Sequence, residues 1–370
     1  MARIGRELLL EGLAAGALPE VWIRWPRQLG DLMFALPFFG ALREDWDAAA
    51  SAAGHRLRWI AVGHAIGAAL FGEADPAFMA ESHIESGGQG KPDPWHLLRR
   101  WRKERPAAVI NLSQSVRLAL GGWMAGVPLR AGIADNRLGL LYTHAFRYRD
   151  LPIHLANRYA PLLEQLTGSR DMRWMPVGPD QLGGRAGLDK LRAAGWDGRP
   201  FVGLAFGTRG YNKRWFPERE TWPALARLLQ AQGLDAVWLG GPDEAELGRE
   251  LAALAPGSHD LTGRTSLPEA LAIQHEAYGN VAVDTGLAHT AAATGRPLAA
   301  LMGGSPDHLI APVGPRVALL RGSAVDNRPG ESEGFDTVGS SAHRTSPLRV
   351  LNALHALARE ARGEALEPVP

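Results

Sequence analysis

The run Val281-Ala282-Val283-Asp284-Thr285-Gly286-Leu287-Ala288-His289 carries the clearest chemistry in the sequence. A short, β-branched apolar run stops abruptly at Asp-Thr-Gly, and an Ala-rich segment follows, ended by Gly295 and Pro297. This order reads as strand, tight turn and helix, with a second strand over 298–302. Asp284 or Thr285 can cap the helix, and Gly286 lets a ligand approach its first turn closely. The N–H groups and positive dipole end of such a helix form an anion site, most naturally for a phosphate. His289 stands three residues after Gly286 and should share a face with that turn, where it would hydrogen-bond a phosphate or a sugar. A lone histidine on a helix is more commonly structural. No His/Asp/Glu pairing at ligand spacing surrounds it, so metal ligation is not expected.

Four further segments could do chemistry. In Trp25-Pro26-Arg27-Gln28-Leu29-Gly30-Asp31 a strand ends, a loop passes through Gly30 and a helix begins near Asp31. Parallel sheets bind ligands at the carboxyl ends of their strands, so Asp31 is a candidate general base for a sugar hydroxyl. It would serve equally as a plain helix cap. In Gly207-Thr208-Arg209-Gly210-Tyr211-Asn212-Lys213 a hydroxyl, a backbone amide and a mobile ammonium suit a diphosphate, although Gly-Lys-Ser/Thr is absent and a solvated basic loop would look the same. Leu239-Gly240-Gly241-Pro242-Asp243-Glu244 follows a strand, and Glu244 or Asp243 could accept from ribose hydroxyls or simply cap a helix. Finally, the segment 93–105 holds a helical pattern over 93–104, with Asp93 as cap and Pro94 in the first turn. Its basic cluster, with Trp95 and Trp101, could meet anionic lipid headgroups or an anionic glycolipid, or be a solvated face.

Strand-like and helical runs alternate through the whole chain, which implies parallel sheets with crossover helices. Strands are expected at 21–25, 58–62, 107–112 and 130–133, then at 201–206, 236–239, 281–284, 298–302 and 317–320. Helices are expected at 93–104, 222–231 and 267–275, with a last one near 347–362. A Pro/Gly-rich stretch over 175–187 breaks the periodicity and is placed as the linker. This gives an N-terminal domain over 1–178, a C-terminal domain over 179–345, and a helix and tail over 346–370. The polar segment 331–345 reads as a loop.

The chain has 370 residues, 46% of them apolar, enough for two cores. Net charge is +1, with 40 basic and 39 acidic residues, which argues against nucleic acid as a partner. Cysteine is absent, so disulfides and thiolate metal sites are excluded, and a reducing compartment fits. No apolar run approaches a membrane span, and the N-terminal region does not read as a signal peptide. A cytoplasmic location is expected, with membrane contact only at a surface. The 12 Trp residues are read mainly as core filling.

Taken together, these segments resemble glycosyltransferase family 9, the ADP-heptose:lipopolysaccharide heptosyltransferases. Leu29-Gly30-Asp31 with Ala35-Leu36-Pro37 is similar to the family's Gly-Asp…Leu-Pro segment. Val109-Ile110-Asn111-Leu112 with Arg117 is similar to its Val-Ile-Asp-Leu-Gln-Gly…Arg segment, and Lys213-Arg214-Trp215-Phe216-Pro217 to its Lys-Arg/His-Trp-Pro segment. Asp284-Thr285-Gly286-Leu287-Ala288-His289, with Met302-Gly303-Gly304-Ser305-Pro306-Asp307, matches the most specific element. The resemblance spans about 21–325.

The resemblance implies an α/β, GT-B architecture, two Rossmann-like domains with parallel sheets facing a central cleft. The first half would take a glycan or glycolipid acceptor and the second a nucleotide-sugar. The reaction would be inverting and metal-independent, with no cofactor, and would move a heptose from ADP-heptose onto a lipopolysaccharide-type acceptor. Asp31 would be the base. Thr208 and Lys213 would balance charge on the departing diphosphate. Thr285 and Gly286 would bind phosphate through their backbone, and Asp284 and His289 would lie near the sugar. On the reading of their own segments, Glu244 would meet the ribose, and Arg99 and Arg102, with the motif's Arg117, the acceptor. The enzyme would be cytoplasmic and peripheral on the cytoplasmic face of the inner membrane. Three departures stand out: Asn111 replaces the family's Asp, Ser113-Gln114-Ser115 replaces Gln-Gly-Asn, and Phe216 separates Trp215 from Pro217. They leave room for a related transferase with another donor or acceptor. An epimerase on the same scaffold, or a scaffold without catalysis, would share the architecture. No Gly-X-Gly-X-X-Gly follows a strand, so a dinucleotide oxidoreductase is not expected.

Overall fold

The computed structural model describes residues 4–84, 95–134, 138–147, 153–303, 305–321 and 345–361. The chain divides into two units, Met1–Met175 with Asp180–Leu182, and Pro176–Pro179 with Gly183–Pro370. The first holds strands β1 (Leu18–Arg24), β2 (Arg58–Gly63), β3 (Glu81–Ile84), β4 (Pro106–Asn111), β5 (Leu129–Ile133) and β6 (His144–Phe146). The second holds β7 (Phe201–Ala205), β8 (Asp235–Leu239), β9 (His259–Asp260), β10 (Gly279–Val283), β11 (Leu298–Leu301) and β12 (Val317–Leu320).

Among the described residues each unit forms one six-stranded sheet, ordered β3-β2-β1-β4-β5-β6 and β12-β11-β10-β7-β8-β9. All the pairings are parallel. The two orders are the same winding, with strand order reversing between β1 and β4 in one sheet and between β7 and β10 in the other. Such a reversal splays the flanking loops apart and opens a crevice at the carboxyl ends of the strands. Strands β4, β7, β8, β10 and β11 are buried along their whole length, as a parallel sheet covered on both faces requires.

All nine expected strands form, with ends shifted by a few residues. Three more were not expected: β3, β6 and β9, of 4, 3 and 2 residues, each at a sheet edge. An edge strand pairs on one side only, and β3 is at best half-buried, so no apolar run marks it. The helix after β1 starts at Leu29, with Gln28 at its N-cap, and runs to Ala52; Asp31 therefore lies in its first turn rather than capping it. The helix expected over 222–231 begins earlier, at Glu218. The helix expected from residue 93 is described over His96–Glu104; Asp93, Pro94, most of the 331–345 loop and the tail beyond 361 lie outside the described residues.

Eight tryptophans are among the largest fully buried side chains, in line with a packing role for most of them. In the linker stretch, Gly184 has φ +79°, and a Cβ there would collide with the Pro268 carbonyl group and lie 2.6 Å from the Glu269 amide nitrogen. Only glycine lets this stretch lie against the Leu267–Glu276 helix.

Candidate active site

In the first unit, Trp25 follows β1 and is fully buried, with its ring 5.2 Å from Phe39 and 4.9 Å from Phe71. This packing fixes the short loop that leads into Asp31. Across the β1/β4 reversal, β4 ends at Asn111, which is fully buried. Its amide donates to the Ser115 carbonyl and the Tyr142 hydroxyl, both at 2.8 Å, and its oxygen accepts from the Ser113 and Ser115 amides. Asn111 thus shapes the turn after β4 by donating and accepting at once, which an ionised Asp cannot do. Burial pushes the Tyr142 hydroxyl up to about 12, despite the hydrogen bond from Asn111.

The loops after β1 and β4 enclose a cavity of about 410 Å³, with Arg27, Asp31, Ser113, Gln114, Arg158 and Tyr159 in its wall. Burial raises the Asp31 carboxyl above its ordinary 3.8, against the lowering charge of Arg158. A carboxylate held this way is a stronger base than one in water. Gln114 adopts φ +56°, where the family motif carries glycine.

Arg117 lies elsewhere. With Trp95, Trp101 and Val116 it lines a separate groove between the His96–Glu104 and Val116–Met124 helices. Arg99 and Arg102 are exposed on the first of these helices. The structure does not bring these three arginines into the Asp31 cavity. Ser113 and Gln114, in the segment whose sequence departs from the family pattern, reach this wall because they follow the strand beside β1. Sequence reasoning missed Arg158. Arg158 sits in a short 3-10 helix, Leu155–Tyr159, with no local signal of function.

In the second unit the corresponding reversal lies between β7 and β10. The helix after β10 is Gly286–Ala293, with Thr285 at its N-cap and no side-chain hydrogen bond capping it. Neither Asp284 nor Thr285 therefore plays the capping role open to it in the sequence. Instead the Asp284 carboxylate, 5% exposed, lies 2.9 Å from Lys213 Nζ, and the Thr208 hydroxyl donates to the Asp284 carbonyl at 3.1 Å. Thr285 and Gly286 remain half-exposed at the helix start. His289 is buried on the same helix, one turn further in.

Trp215, two residues after Lys213, anchors the chain there. That ring is fully buried, 5.1 Å from Trp222, and its nitrogen donates to the Thr345 carbonyl at 2.9 Å. Glu244 caps its own 3-10 turn, accepting from the Gly241 amide at 2.5 Å. It also packs on Gly207, where an added Cβ would lie 2.6 Å from the Glu244 Cδ. The structure thus gathers Thr208, Lys213, Glu244, Asp284, Thr285, Gly286 and His289 around the carboxyl ends of β7, β8 and β10. Gly304 of the Met302–Asp307 segment lies outside the described residues; Asp307 is held by Arg321 at 2.7 Å. Among the described residues, no group of three or more His, Cys, Asp or Glu could hold a metal ion.

Known proteins resemble this chain over most of its length. The profile of glycosyltransferase family 9 (heptosyltransferase) matches residues 95–333. Lipopolysaccharide heptosyltransferase 2 of Salmonella typhimurium is 27% identical over 301 residues, covering 78% of this chain and 84% of the relative. Its Escherichia coli K12 counterpart is 28% identical, covering 77% and 83%. Among solved structures, E. coli ADP-heptose lipopolysaccharide heptosyltransferase II superposes with a TM-score of 0.70 at 22% identity, over 93% of this chain and 99% of that one. A family 9 glycosyltransferase from Veillonella parvula gives 0.71 at 20% identity, over 92% and 97%. The two parallel α/β sheets are thus those of the GT-B-like heptosyltransferase fold. The family match covers well over half of the chain: this protein belongs to glycosyltransferase family 9 and is a glycosyltransferase.

Proposed function

We propose that the enzyme moves a heptosyl group from ADP-heptose to a hydroxyl of a lipopolysaccharide-type acceptor, inverting the anomeric centre without a metal. The names of the relatives support the donor and acceptor classes. The observation that carries the chemistry is the Gly286–Ala293 helix, which begins with no side-chain cap and has Lys213 beside it. Helix amides and an ammonium aimed at one place suit the charge that builds on a departing diphosphate.

The first unit serves the acceptor and the second the nucleotide-sugar. Asp31 takes the proton of the acceptor hydroxyl. The acceptor oxygen bonds to the anomeric carbon as the bond from that carbon to the diphosphate oxygen breaks, and ADP leaves. Lys213, the Thr208 hydroxyl and the amides of Thr285 and Gly286 receive the charge on the diphosphate. Glu244 meets the ribose, and Asp284 and His289 lie by the sugar. Arg117, Arg99 and Arg102 meet anionic groups of the acceptor outside the reacting cavity. No helix among the described residues is long and apolar enough to cross a membrane; the enzyme works in the cytoplasm, at the surface of the inner membrane.

The test is an incubation with ADP-heptose and a heptose-deficient lipopolysaccharide acceptor, read as ADP release and as a mass gain of one heptose. Acceptor-dependent release is the expected result. Conversion of ADP-heptose without an acceptor would favour an epimerase, and no reaction with any donor would refute transfer.

A further inference from the structure

We infer that the face formed by the His96–Glu104 and Val116–Met124 helices is a docking surface for an anionic bilayer. This deepens the membrane-side reading above, and it rests on the following geometry. In the second helix, Val116, Leu120, Trp123 and Met124 stand at the spacing of a helix face that is normally buried. Yet Val116 and Trp123 are more than half exposed, at 52% and 53%, and Met124 is also exposed. Leu140, 92% exposed, belongs to the short 3-10 helix Leu138–Leu141 that packs against this helix. Trp95, 48% exposed, stands before the first helix.

Five of the ten large apolar residues that are exposed among the described residues thus collect on this one face. Both strongly exposed tryptophans are here, whereas eight others are fully buried. A patch of this kind marks a contact surface, and tryptophan with a wet rim favours the membrane interface. Between the two helices lies a groove of about 280 Å³, lined by Trp95, Leu98, Trp101, Val116, Arg117 and Leu120.

Charge selects the occupant. Arg99 and Arg102 follow Trp95 at four and seven residues, on its own helical stripe. Arg99, Arg102, Lys103, Arg105 and Arg117 all lie exposed on or beside these two helices. The whole chain is only +1, so this positive charge is local. Basic side chains flanking exposed Trp, Leu, Val and Met match an anionic lipid surface, with the cations at the headgroups and the apolar residues below them. The groove is separate from the Asp31 cavity but next to it along the chain: Leu112, Ser113 and Gln114 line the cavity, and Val116 and Arg117, two residues on, line the groove. A glycolipid seated in the bilayer would present its sugars beside Asp31.

The test is flotation of the full chain with phosphatidylglycerol/phosphatidylcholine vesicles and with pure phosphatidylcholine vesicles. The wild type should float with the anionic vesicles and release in high salt. Each of Arg102→Gln and Arg105→Gln should weaken partitioning about fivefold. Trp123→Ala with Leu140→Ser should abolish flotation while the melting temperature, ADP affinity and turnover of a de-acylated, water-soluble acceptor stay at wild-type level. Three results would overturn the inference: no flotation with anionic vesicles, equal flotation with neutral ones, or flotation untouched by Trp123→Ala with Leu140→Ser. Sedimentation showing a dimer that these two substitutions dissociate would also overturn it, by assigning the face to a second copy of the chain. Flotation needs no transfer activity, so failure of the proposed reaction with flotation intact would count against the reaction alone.

Discussion

Lys213→Ala probes the proposed diphosphate site most sharply, because the structure shows the partner that Lys213 would give up to serve it. Its ammonium lies 2.9 Å from the Asp284 carboxylate. Breaking a fully buried pair by removing one partner costs about 3–5 kcal/mol. The Lys213 side chain is 31% exposed and water screens the pair, so about 1 kcal/mol of stability should be lost. On the binding side, a hydrogen bond from a charged group contributes about 1.5–3 kcal/mol. Part of that is offset, because the ammonium must share itself with Asp284. A net of about 1.5–2 kcal/mol corresponds to an ADP affinity about 10–30-fold weaker. Calorimetric titration of wild type and Lys213→Ala with ADP reads this directly. Asp284→Asn is the control: it frees the ammonium from its competitor and should hold or raise ADP affinity. An ADP affinity for Lys213→Ala within twofold of wild type would refute the reasoning.

Asp31→Asn should keep ADP affinity and lower transfer by about 10²–10⁴-fold, the usual contribution of a positioned base. Because burial raises the folded carboxyl above 3.8, its charged form costs stability at neutral pH, so the same variant should melt higher at pH 7; a lower melting temperature would contradict the burial argument. The wild-type rate should fall with acid through a value above 3.8, as the base takes up a proton. Burial alone would raise Glu81, but hydrogen bonds from Arg100 and His83, the Arg100 charge and a hydrogen bond from Arg58 outweigh it and hold the carboxyl at about 2. Since this lies below the unfolded value of 4.5, the network's stabilisation is present above about 4.5 and lost as pH falls towards about 2. Glu81→Gln should therefore melt lower at pH 7, by about 1 kcal/mol after screening, and the gap should close in acid. Gly184→Ala forces a side chain into the Pro268 backbone at positive φ and should cost about 3 kcal/mol, read as a lower denaturant midpoint at unchanged slope. Transfer should persist in excess EDTA; its loss and rescue by a divalent cation would contradict the metal-free reading.

The sequence shows most plainly what local chemistry writes. At 281–289 an apolar run, a turn and a small-residue helix follow in order, and strand, turn and helix form there. The same holds for the loop from Trp25 to Asp31. Buried parallel strands such as β4, β7 and β10 read as continuous apolar runs for the same reason. The edge strands β3, β6 and β9 do not, because a short, one-sided pairing places little demand on side chains. Partnerships between distant residues are also hidden. Lys213 and Asp284 each look like phosphate or sugar ligands in isolation, and only the fold shows them paired. Glu244 looks like a ribose acceptor, but nothing in the sequence shows that it packs on Gly207. Arg158 reaches the Asp31 cavity from a 3-10 turn that has no periodicity to read. The Trp-bearing basic helix was legible as a surface, but its apolar neighbours on the Val116–Met124 helix emerge only once the two helices are packed together.

The most direct measurement is a crystal structure of the enzyme with ADP. The account predicts diphosphate oxygens within hydrogen-bond reach of the Thr285 and Gly286 amides and of Lys213 Nζ, with the lysine drawn off Asp284. A diphosphate bound elsewhere, with the Lys213–Asp284 pair undisturbed, would contradict it.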